Sequence, residues 1–234
     1  MNKDLEFETY LSISLNKFGV YLFDTINQKN LYKEEIILKN NISSSDYNNL
    51  KKFLDDNIFK IEKLTGKFVK DIFLILENEK ILNLVIGIKK KNYNTYINQE
   101  YIQNSLIEAK DLFKENYQNE KIMHMIVNKY LINGKKFSSI KDNLESDHLG
   151  LEIEFKAIST DFIYELNKIL ENYHIKIIKY IDGNYLKTFF EDVNIDISEM
   201  AHKILNGFNE NEVMVVPKNI KKSAFFEKFF QLFS

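Results

Sequence analysis

The segment Phe68–Leu76, FVKDIFLIL, is nearly continuous in apolar residues and decides the fold class. Such a run is typical of a strand covered on both faces, as in the sheets of α/β proteins. The residues before it carry apolar side chains at helical spacing from Leu50 to Ile61, and Gly66 follows as a helix end. An amphipathic helix that leads into a buried strand predicts a mixed α/β protein.

The residues nearer the N-terminus predict a three-stranded antiparallel unit. Apolar and polar residues alternate over Tyr10–Phe23 on both sides of Asn16 and Lys17, which indicates a hairpin. A third strand is expected over Glu34–Leu38. Three strands, a helix and a buried strand resemble the start of an actin-like or RNase H-like half-lobe.

The middle of the chain predicts a second unit, with the order strand, helix, strand, strand. Its first strand is expected over Lys80–Ile88, followed by a lysine-rich loop at Lys89–Lys91. A helix over about 99–117, with Asn98 as its cap, and strands over Lys121–Ile132 and Gly150–Ser159 follow. A helix capped by Asp161 and a strand over Ile175–Ile181 then resume the first pattern, so the middle unit is an insertion.

The composition excludes several classes of function. Basic residues number 32 and acidic residues 34, so the net charge is -2 and no overall positive field attracts nucleic acid. Every basic residue is lysine, which leaves no guanidinium for bidentate phosphate binding. Without cysteine the chain has neither disulfides nor thiolate metal sites. The first residues, MNKDLEFETY, lack the apolar region of a signal peptide, and we expect a cytoplasmic protein.

No arrangement of reactive side chains predicts catalysis or metal binding. The histidines lack the spacing of zinc sites and lie far apart, at His124, His148, His174 and His202. We expect His124 to fill a strand position and Asp182–Gly183 to form a turn. Solvated surfaces are expected for the other charged groups, Asp55 with Asp56, Glu152 with Glu154, Lys89–Lys91, and Lys135 with Lys136. We therefore predict no catalytic residue, no cofactor and no metal.

A family resemblance is carried by the segment HMIVNKYLING, residues 124–134. It is similar to the pattern H-x-I-P-x-x-Y-x-I-D-G of FtsA, the bacterial actin homologue that tethers the division ring to the membrane. Three further segments agree in the same order. FVKDIFLILENEKI resembles the strand that enters FtsA's inserted subdomain, INQEYIQNSLIEAKDL resembles its helix, and FIYELNKILENYHIKIIKYIDGNYL resembles the return into the first lobe.

This resemblance implies a partial actin-like lobe with an inserted subdomain. In FtsA the matching subdomain contacts the next filament subunit and the cytoplasmic tail of a later division protein. FtsA's first phosphate loop contains an acid and a Gly-Thr pair, whereas the matching positions here are Ser12, Ser14 and Leu15. Only about forty residues follow Asn194, which is too few for the second lobe. We therefore expect neither nucleotide binding nor hydrolysis.

The last fourteen residues, KKSAFFEKFFQLFS, predict an amphipathic helix with five phenylalanines on one face. Lysines stand before and within it, which is typical of a helix that lies on an anionic membrane surface. A helix docked on the protein's own core is the alternative. The predicted membrane-binding residues are Lys221, Lys222, Phe225, Phe226, Lys228, Phe229, Phe230 and Phe233.

These patterns predict four parts. Residues 1–77 and 160–194 form an incomplete actin-like lobe, residues 78–159 the inserted subdomain, 195–220 a helical stretch with a linker, and 221–234 the membrane anchor.

The resemblance implies a non-enzymatic adaptor on the cytoplasmic face of the bacterial membrane, at the division site. Expected partners are anionic lipid, cell-division proteins with FtsZ among the candidates, and other copies of the chain, but not nucleic acid. The first alternative is a pilus-assembly scaffold of the PilM type, and the second is an actin-superfamily ATPase.

Overall fold

A computed structural model describes residues 6–38, 48–77, 80–91, 96–139, 144–190 and 194–213. The C-terminal amphipathic helix predicted over residues 221–234 lies outside these ranges. In chain order the elements are β1 (Phe7–Ile13), β2 (Lys17–Asp24), β3 (Lys29–Ile37), α1 (Asn48–Thr65), β4 (Asp71–Leu76), β5 (Leu82–Lys91), β6 (Tyr96–Ile97), α2 (Gln99–Asn116), β7 (Glu120–Ile132), β8 (Lys135–Phe137), β9 (Leu144–Glu145), β10 (His148–Ser159), α3 (Thr160–Glu171), β11 (Lys176–Asp182), α4 (Gly183–Lys187) and α5 (Ile197–Leu205).

The first sheet has five strands in the order β11-β4-β1-β2-β3. β1, β2 and β3 pair antiparallel in succession, as the hairpin pattern predicts, and β4 and β11 are added in parallel on the other side of β1. The inner strands supply much of the core, with Tyr10, Leu11, Val20, Leu22, Phe23, Leu74 and Ile75 at or below 1% exposure. Burying each large apolar side chain contributes about 1.5 to 3 kcal/mol, so these strands dominate the stability of the sheet.

Helix α1 buries the apolar stripe that its sequence predicts, from Leu50 through Leu54 to Ile61. The helix ends at Thr65, and the next residue, Gly66, has a φ of 65° in the left-handed region that glycine adopts without strain. Asn57 faces inward on the same helix and accepts a hydrogen bond from the Tyr32 hydroxyl at 2.5 Å. That bond satisfies a buried polar group between α1 and β3.

The inserted segment forms a second sheet, in the order β5-β10-β7-β8. Helix α2 packs on it through Ala109 and Phe113, and Phe113 stacks on Phe155 of β10 with ring centroids 4.8 Å apart. Asn98 caps α2 as predicted, since its side chain accepts the Tyr101 amide at 2.9 Å.

Several predicted boundaries are wrong in instructive ways. Lys89–Lys91 are the last three residues of β5 rather than a loop, because β10 pairs with β5 along its full length. The polar connection between β7 and β10 contains two short strands, β8 and β9. β3 starts at Lys29, five residues before the predicted Glu34, because β2 pairs with it from Lys29 onward.

The described chain divides into two compact units. One, here called the lobe, contains residues up to Ile81 and Thr160–Phe208, and the other, here called the inserted unit, contains Leu82–Ser159 together with the segment from Asn209. The mixed α/β fold class predicted from the sequence is confirmed. Within the described residues, no helix has the length and apolar character needed to cross a membrane.

Candidate functional site

The parallel strands β1, β4 and β11 end at the same edge of the lobe sheet. Ligands of open α/β sheets bind at the carboxyl ends of such strands, so this edge is the expected place for a ligand site. It is formed by Ser14 after β1, Glu77 after β4, and Asp182 at the end of β11 with the following helix α4. These residues and Lys187 are called the carboxyl edge below.

The turn after β1 is closed by its own hydrogen bonds. The Ser14 amide donates to the Lys17 carbonyl at 2.9 Å, and the Ser14 hydroxyl donates to the same oxygen at 3.2 Å. The turn contains no glycine, and Leu15 at its tip is 42% exposed. A phosphate loop needs backbone amides that point outward from a glycine-rich turn, whereas here the Ser14 amide is already bonded within the hairpin.

The carboxylate of Glu77 occupies the end of β4. The Glu77 amide donates to the Ile13 carbonyl at 2.9 Å, and its carboxylate forms an ion pair with Lys187 of α4. The one lysine of the carboxyl edge, Lys187, is already paired with this carboxylate and is not available to hold an anion. The arrangement therefore stabilises the lobe more readily than it binds an anion.

Gly183 lets helix α4 start directly against Glu77. A Cβ at this glycine would lie 2.5 Å from Glu77 Cγ and 3.2 Å from Ile75 Cγ2. Asp182 is buried and caps the helix, because its side chain accepts the Asn184 amide at 2.9 Å. The predicted turn at Asp182–Gly183 is thus the N-terminus of a helix, and it fills the space beside β4.

Helix α5 is fastened to the lobe sheet by polar contacts that sequence reasoning missed. Asn30 of β3 donates to Asp196 at 2.8 Å and accepts from the Ser198 hydroxyl at 2.9 Å. Lys33 donates a hydrogen bond to Asp196 and forms an ion pair with it, and this hydrogen bond raises the pKa of Lys33. The only local sign of this contact is the Asp-x-Ser sequence at the start of α5, which also fits an ordinary helix cap.

A second set of contacts fixes the last turn of the same helix. His202 Nδ1 lies 2.7 Å from Glu8 Oε2, and the His202 ring lies 4.9 Å from the ring of Phe23. Glu8 also accepts from the Tyr10 hydroxyl at 2.5 Å. Burial, together with this neighbouring carboxylate, raises the pKa of Tyr10. His202 therefore has a structural environment within the lobe.

In the inserted unit, the segment after α5 pairs with the middle of β7. The Val127 amide donates to the Asn211 carbonyl at 2.9 Å, and the Val213 amide donates to the Met125 carbonyl at 2.7 Å. Beside these two backbone hydrogen bonds, His124 Nδ1 lies 2.7 Å from Glu212 Oε1, and both side chains are buried. The prediction that His124 fills a strand position is confirmed, but its partner Glu212 was not foreseen. We call residues 209–213 the β7 strap.

The other predicted charged groups lie on solvated surfaces of the described elements. Asp55 and Asp56 are exposed on α1, where Asp55 accepts from the Tyr173 hydroxyl at 2.7 Å. Glu152 pairs with Lys129 at 2.8 Å, and Glu154 pairs with Lys156 at 3.1 Å. The structure does not bring these acid pairs together with any histidine.

Across the described ranges no three metal-ligating side chains converge. His148 begins β10, and His174 stands in the short connection after α3 with a φ of 56°. The eight residues predicted to bind the membrane, from Lys221 to Phe233, lie outside the described residues.

Comparison with known proteins gives a likeness of fold. No family model matches the chain, and no curated protein matches it. Among solved structures, the PilM-PilN type IV pilus biogenesis complex matches over 78% of this chain and 49% of that chain, with 8% identity and a TM-score of 0.50. The chain thus spans about half the length of that structure, and the likeness concerns the fold alone.

Two further structures overlap more weakly. The cytoplasmic domain of EpsL, an inner membrane component of the type II secretion system of Vibrio cholerae, covers 77% of this chain and 58% of its own, with 4% identity and a TM-score of 0.38. A Bacteroides thetaiotaomicron protein of unknown function, described as having an actin-like ATPase fold, covers 80% and 56% with 15% identity and a TM-score of 0.33.

Proposed function

We propose that the chain is a non-enzymatic adaptor, built on an actin-like lobe, that recruits protein partners to a membrane-associated assembly. The lobe serves as a rigid platform in this proposal, and the inserted unit is the part that meets the partner. One solved structure of similar fold is the PilM-PilN type IV pilus biogenesis complex, which supports a role in a protein assembly.

The occupied carboxyl edge is the observation that supports a non-enzymatic role most directly. The Ser14 turn is closed on itself, and the Glu77–Lys187 ion pair lies where a nucleotide phosphate would approach the ends of β1 and β4. A phosphate site at this place would need free backbone amides or an unpaired positive charge. Here the Ser14 amide is bonded to the Lys17 carbonyl, and the Lys187 ammonium is paired with Glu77.

Two assemblies fit this adaptor role, and each is favoured by a different observation. The pattern of residues 124–134 resembles FtsA and favours cell division, with the tail of residues 221–234 as an FtsA-type anchor on anionic lipid. The fold likeness to the PilM-PilN complex favours pilus assembly. In both cases the proposed location is the cytoplasmic face of the membrane.

Calorimetry with magnesium and ATP tests the non-enzymatic part of the proposal. We expect no heat of binding from the full chain, and a dissociation constant of about 10 μM or lower would contradict the proposal. The variant Glu77→Gln should be measured alongside, because it removes the negative charge at the carboxyl edge while keeping the side chain's size. Binding by that variant alone would identify the Glu77 carboxylate as the group that excludes phosphate.

Localisation of a tagged full-length chain in dividing cells tests the adaptor part and separates the two assemblies. Bands at mid-cell support the division role, and foci at the poles support pilus assembly. A diffuse cytoplasmic signal would contradict both, since an adaptor of this kind acts at the membrane.

A further inference from the structure

The sheet of the inserted unit has one face that no described helix of that unit covers. Helix α2 packs on the opposite face, where alternate residues of β5, among them Leu84, Ile86 and Ile88, join the core. Val85 and Lys89 alternate with these residues and point the other way, and Val85 is 53% exposed. We call this second side the outer face.

Both carboxylates that β10 places on the outer face have lysine partners. Glu152 pairs with Lys129 at 2.8 Å, and Glu154 pairs with Lys156 at 3.1 Å. Each pair is electrically balanced, so the net positive charge of this face comes from lysines outside the two pairs.

Two lysines that form no ion pair among the described residues lie at opposite ends of one row across the outer face. The register sets Lys89 of β5 opposite Gly150, Gly150 opposite Leu131, and Leu131 opposite Lys136 of β8. Residues paired in this way point to the same side of a sheet, so both exposed lysines belong to the outer face. Three strand spacings, about 14 Å, separate them. We call these four residues the lysine row.

The middle of the lysine row is apolar and low. A Cβ at Gly150 would lie 3.0 Å from Leu131 Cβ, so the half-buried Leu131 side chain lies over this glycine. Gly87, the outer-face residue before Lys89 on β5, also adds no side chain, and a Cβ there would meet no atom within 4 Å. A flat face with ammonium groups on either side of an apolar centre fits a broad anionic surface better than a narrow ligand.

The chain leads from this sheet to its predicted membrane anchor. The β7 strap ends at Val213, whose amide donates to the Met125 carbonyl of β7 at 2.7 Å. Seven residues, 214–220, then precede Lys221 and can extend over roughly 25 Å. The lysine row crosses β7 at Leu131, about 20 Å along the strand from Met125. One membrane surface is therefore within reach of both the predicted anchor and the lysine row.

We propose that the outer face of the inserted unit docks on anionic membrane lipid through the lysine row. The Lys89 and Lys136 ammonium groups meet lipid phosphates, and Leu131 meets the leaflet surface between them. The predicted anchor, residues 221–234, holds the chain at the membrane, and the lysine row turns the outer face toward it. An acidic segment of another protein would match the two charges but would not account for the predicted anchor beside them. This inference rests on the membrane location in the proposed function.

Vesicle binding by the purified full chain tests the docking face. The probes are vesicles of phosphatidylcholine alone and vesicles with about one third phosphatidylglycerol, and co-sedimentation gives the partition coefficient. Each lysine close to an anionic surface contributes about fivefold to this coefficient. Lys89→Glu with Lys136→Glu removes two such charges and adds two of opposite sign, so the coefficient on anionic vesicles should fall at least about 25-fold.

A matched double variant separates the docking face from net charge. Lys52→Glu with Lys60→Glu makes the same charge change on exposed lysines of α1, and its partition coefficient should fall less than about threefold. Equal losses by the two double variants would show that the vesicles respond to net charge alone, which overturns the proposal. An unchanged coefficient for the Lys89 and Lys136 variant would overturn it as well.

Fluorescent labels test the orientation directly. The chain contains no cysteine, so one introduced cysteine can carry the label. Gly87→Cys places it on the outer face, where a Cβ meets no atom, and Leu112→Cys places it on α2, where the side chain is 44% exposed. On anionic vesicles with a quencher attached to the lipid headgroups, the label at position 87 should lose more fluorescence. Equal quenching of the two labels, or stronger quenching at position 112, would overturn the proposed orientation.

The tail variant Phe226→Glu with Phe230→Glu lets the docking face and the anchor fail separately. If this variant loses all binding while the Lys89 and Lys136 variant binds like the parent, the anchor stands and the docking face is overturned. If it keeps lysine-dependent binding to anionic vesicles, the docking face stands without the anchor. A parent chain that binds neither kind of vesicle overturns the docking face, whereas the adaptor role is tested by localisation in cells.

Discussion

Substituting Gly183 by alanine tests whether helix α4 fills the carboxyl edge of the lobe. The new Cβ would lie 2.5 Å from Glu77 Cγ, a separation that forces one of the two to move. Glu77 is held by its backbone bond to Ile13 and by the ion pair with Lys187. On the other side Ile75, whose Cγ2 lies 3.2 Å away, is fully buried and has little freedom to give way.

The expected loss of stability follows from two opposing effects. Inserting a methyl group into a well-packed site costs about 1 to 3 kcal/mol. Alanine is favoured over glycine in a helix by up to about 1 kcal/mol, which offsets part of the cost. The free energy of unfolding should therefore fall by about 1 to 2 kcal/mol, which lowers Tm by about 2 to 8 °C for a protein of this size.

Thermal unfolding followed by circular dichroism measures the change, and two further variants serve as controls. Gly87→Ala makes the same substitution where a Cβ meets nothing, and we expect its Tm to stay the same or rise by a few degrees. Adding Glu77→Ala to Gly183→Ala removes the atom in conflict, so the two substitutions should be non-additive.

An unchanged or raised Tm for Gly183→Ala would refute this reasoning. It would mean that α4 does not start against Glu77, and that the carboxyl edge has free space. Free space at this edge would no longer support a non-enzymatic lobe. If Gly183→Ala lowers Tm by the same amount in the Glu77→Ala background as in the parent protein, the new Cβ conflicts with Ile75 instead.

Three further predictions concern other parts of the chain. Glu212→Ala should lower the free energy of unfolding by about 1 to 3 kcal/mol, because the buried His124 loses its contact with the Glu212 carboxylate. Hydrogen exchange at the Val213 amide, which is bonded to Met125 next to this contact, should become faster. Burial raises the pKa of the Glu120 carboxyl above its ordinary value, so the folded state loses stability as pH rises through this raised pKa and the carboxyl ionises. Glu120→Gln should therefore raise Tm at pH 7, and the increase in Tm should disappear near pH 4, where the carboxyl is neutral. A gain that persists at low pH would contradict this assignment. Phe226→Glu with Phe230→Glu should abolish liposome flotation with an unchanged melting curve if the tail is a membrane anchor, whereas a lowered melting curve with no lipid binding by the parent chain would reject the anchor.

The sequence determined the local elements because their signals are short in range. The alternation around Asn16 and Lys17 predicted the hairpin, the helical spacing from Leu50 and the glycine at Gly66 predicted α1 and its end, and Asn98 predicted the cap of α2. Each depends on residues within a few positions of one another, where backbone geometry fixes which side chains meet. Mixed α/β class followed from the order of these elements.

Boundaries were less accurate where pairing with a distant strand decided them. The lysines at the end of β5 suggested a loop, but β10 continues the ladder past them, and β10 lies more than fifty residues further along the chain. β3 likewise extends over polar residues because β2 pairs with them. Strand length depends on the partner, and the partner is not visible in the strand's own sequence.

The candidate site was decided only by tertiary structure. Glu77 and Lys187 are 110 residues apart, Asn30 and Asp196 are 166 apart, and His124 and Glu212 are 88 apart, and no periodicity links the members of these pairs. The sequence did show that Ser14 and Leu15 replace the expected phosphate-loop residues. It did not show that Gly183 brings α4 against Glu77, because that contact depends on which surfaces meet after the chain has folded.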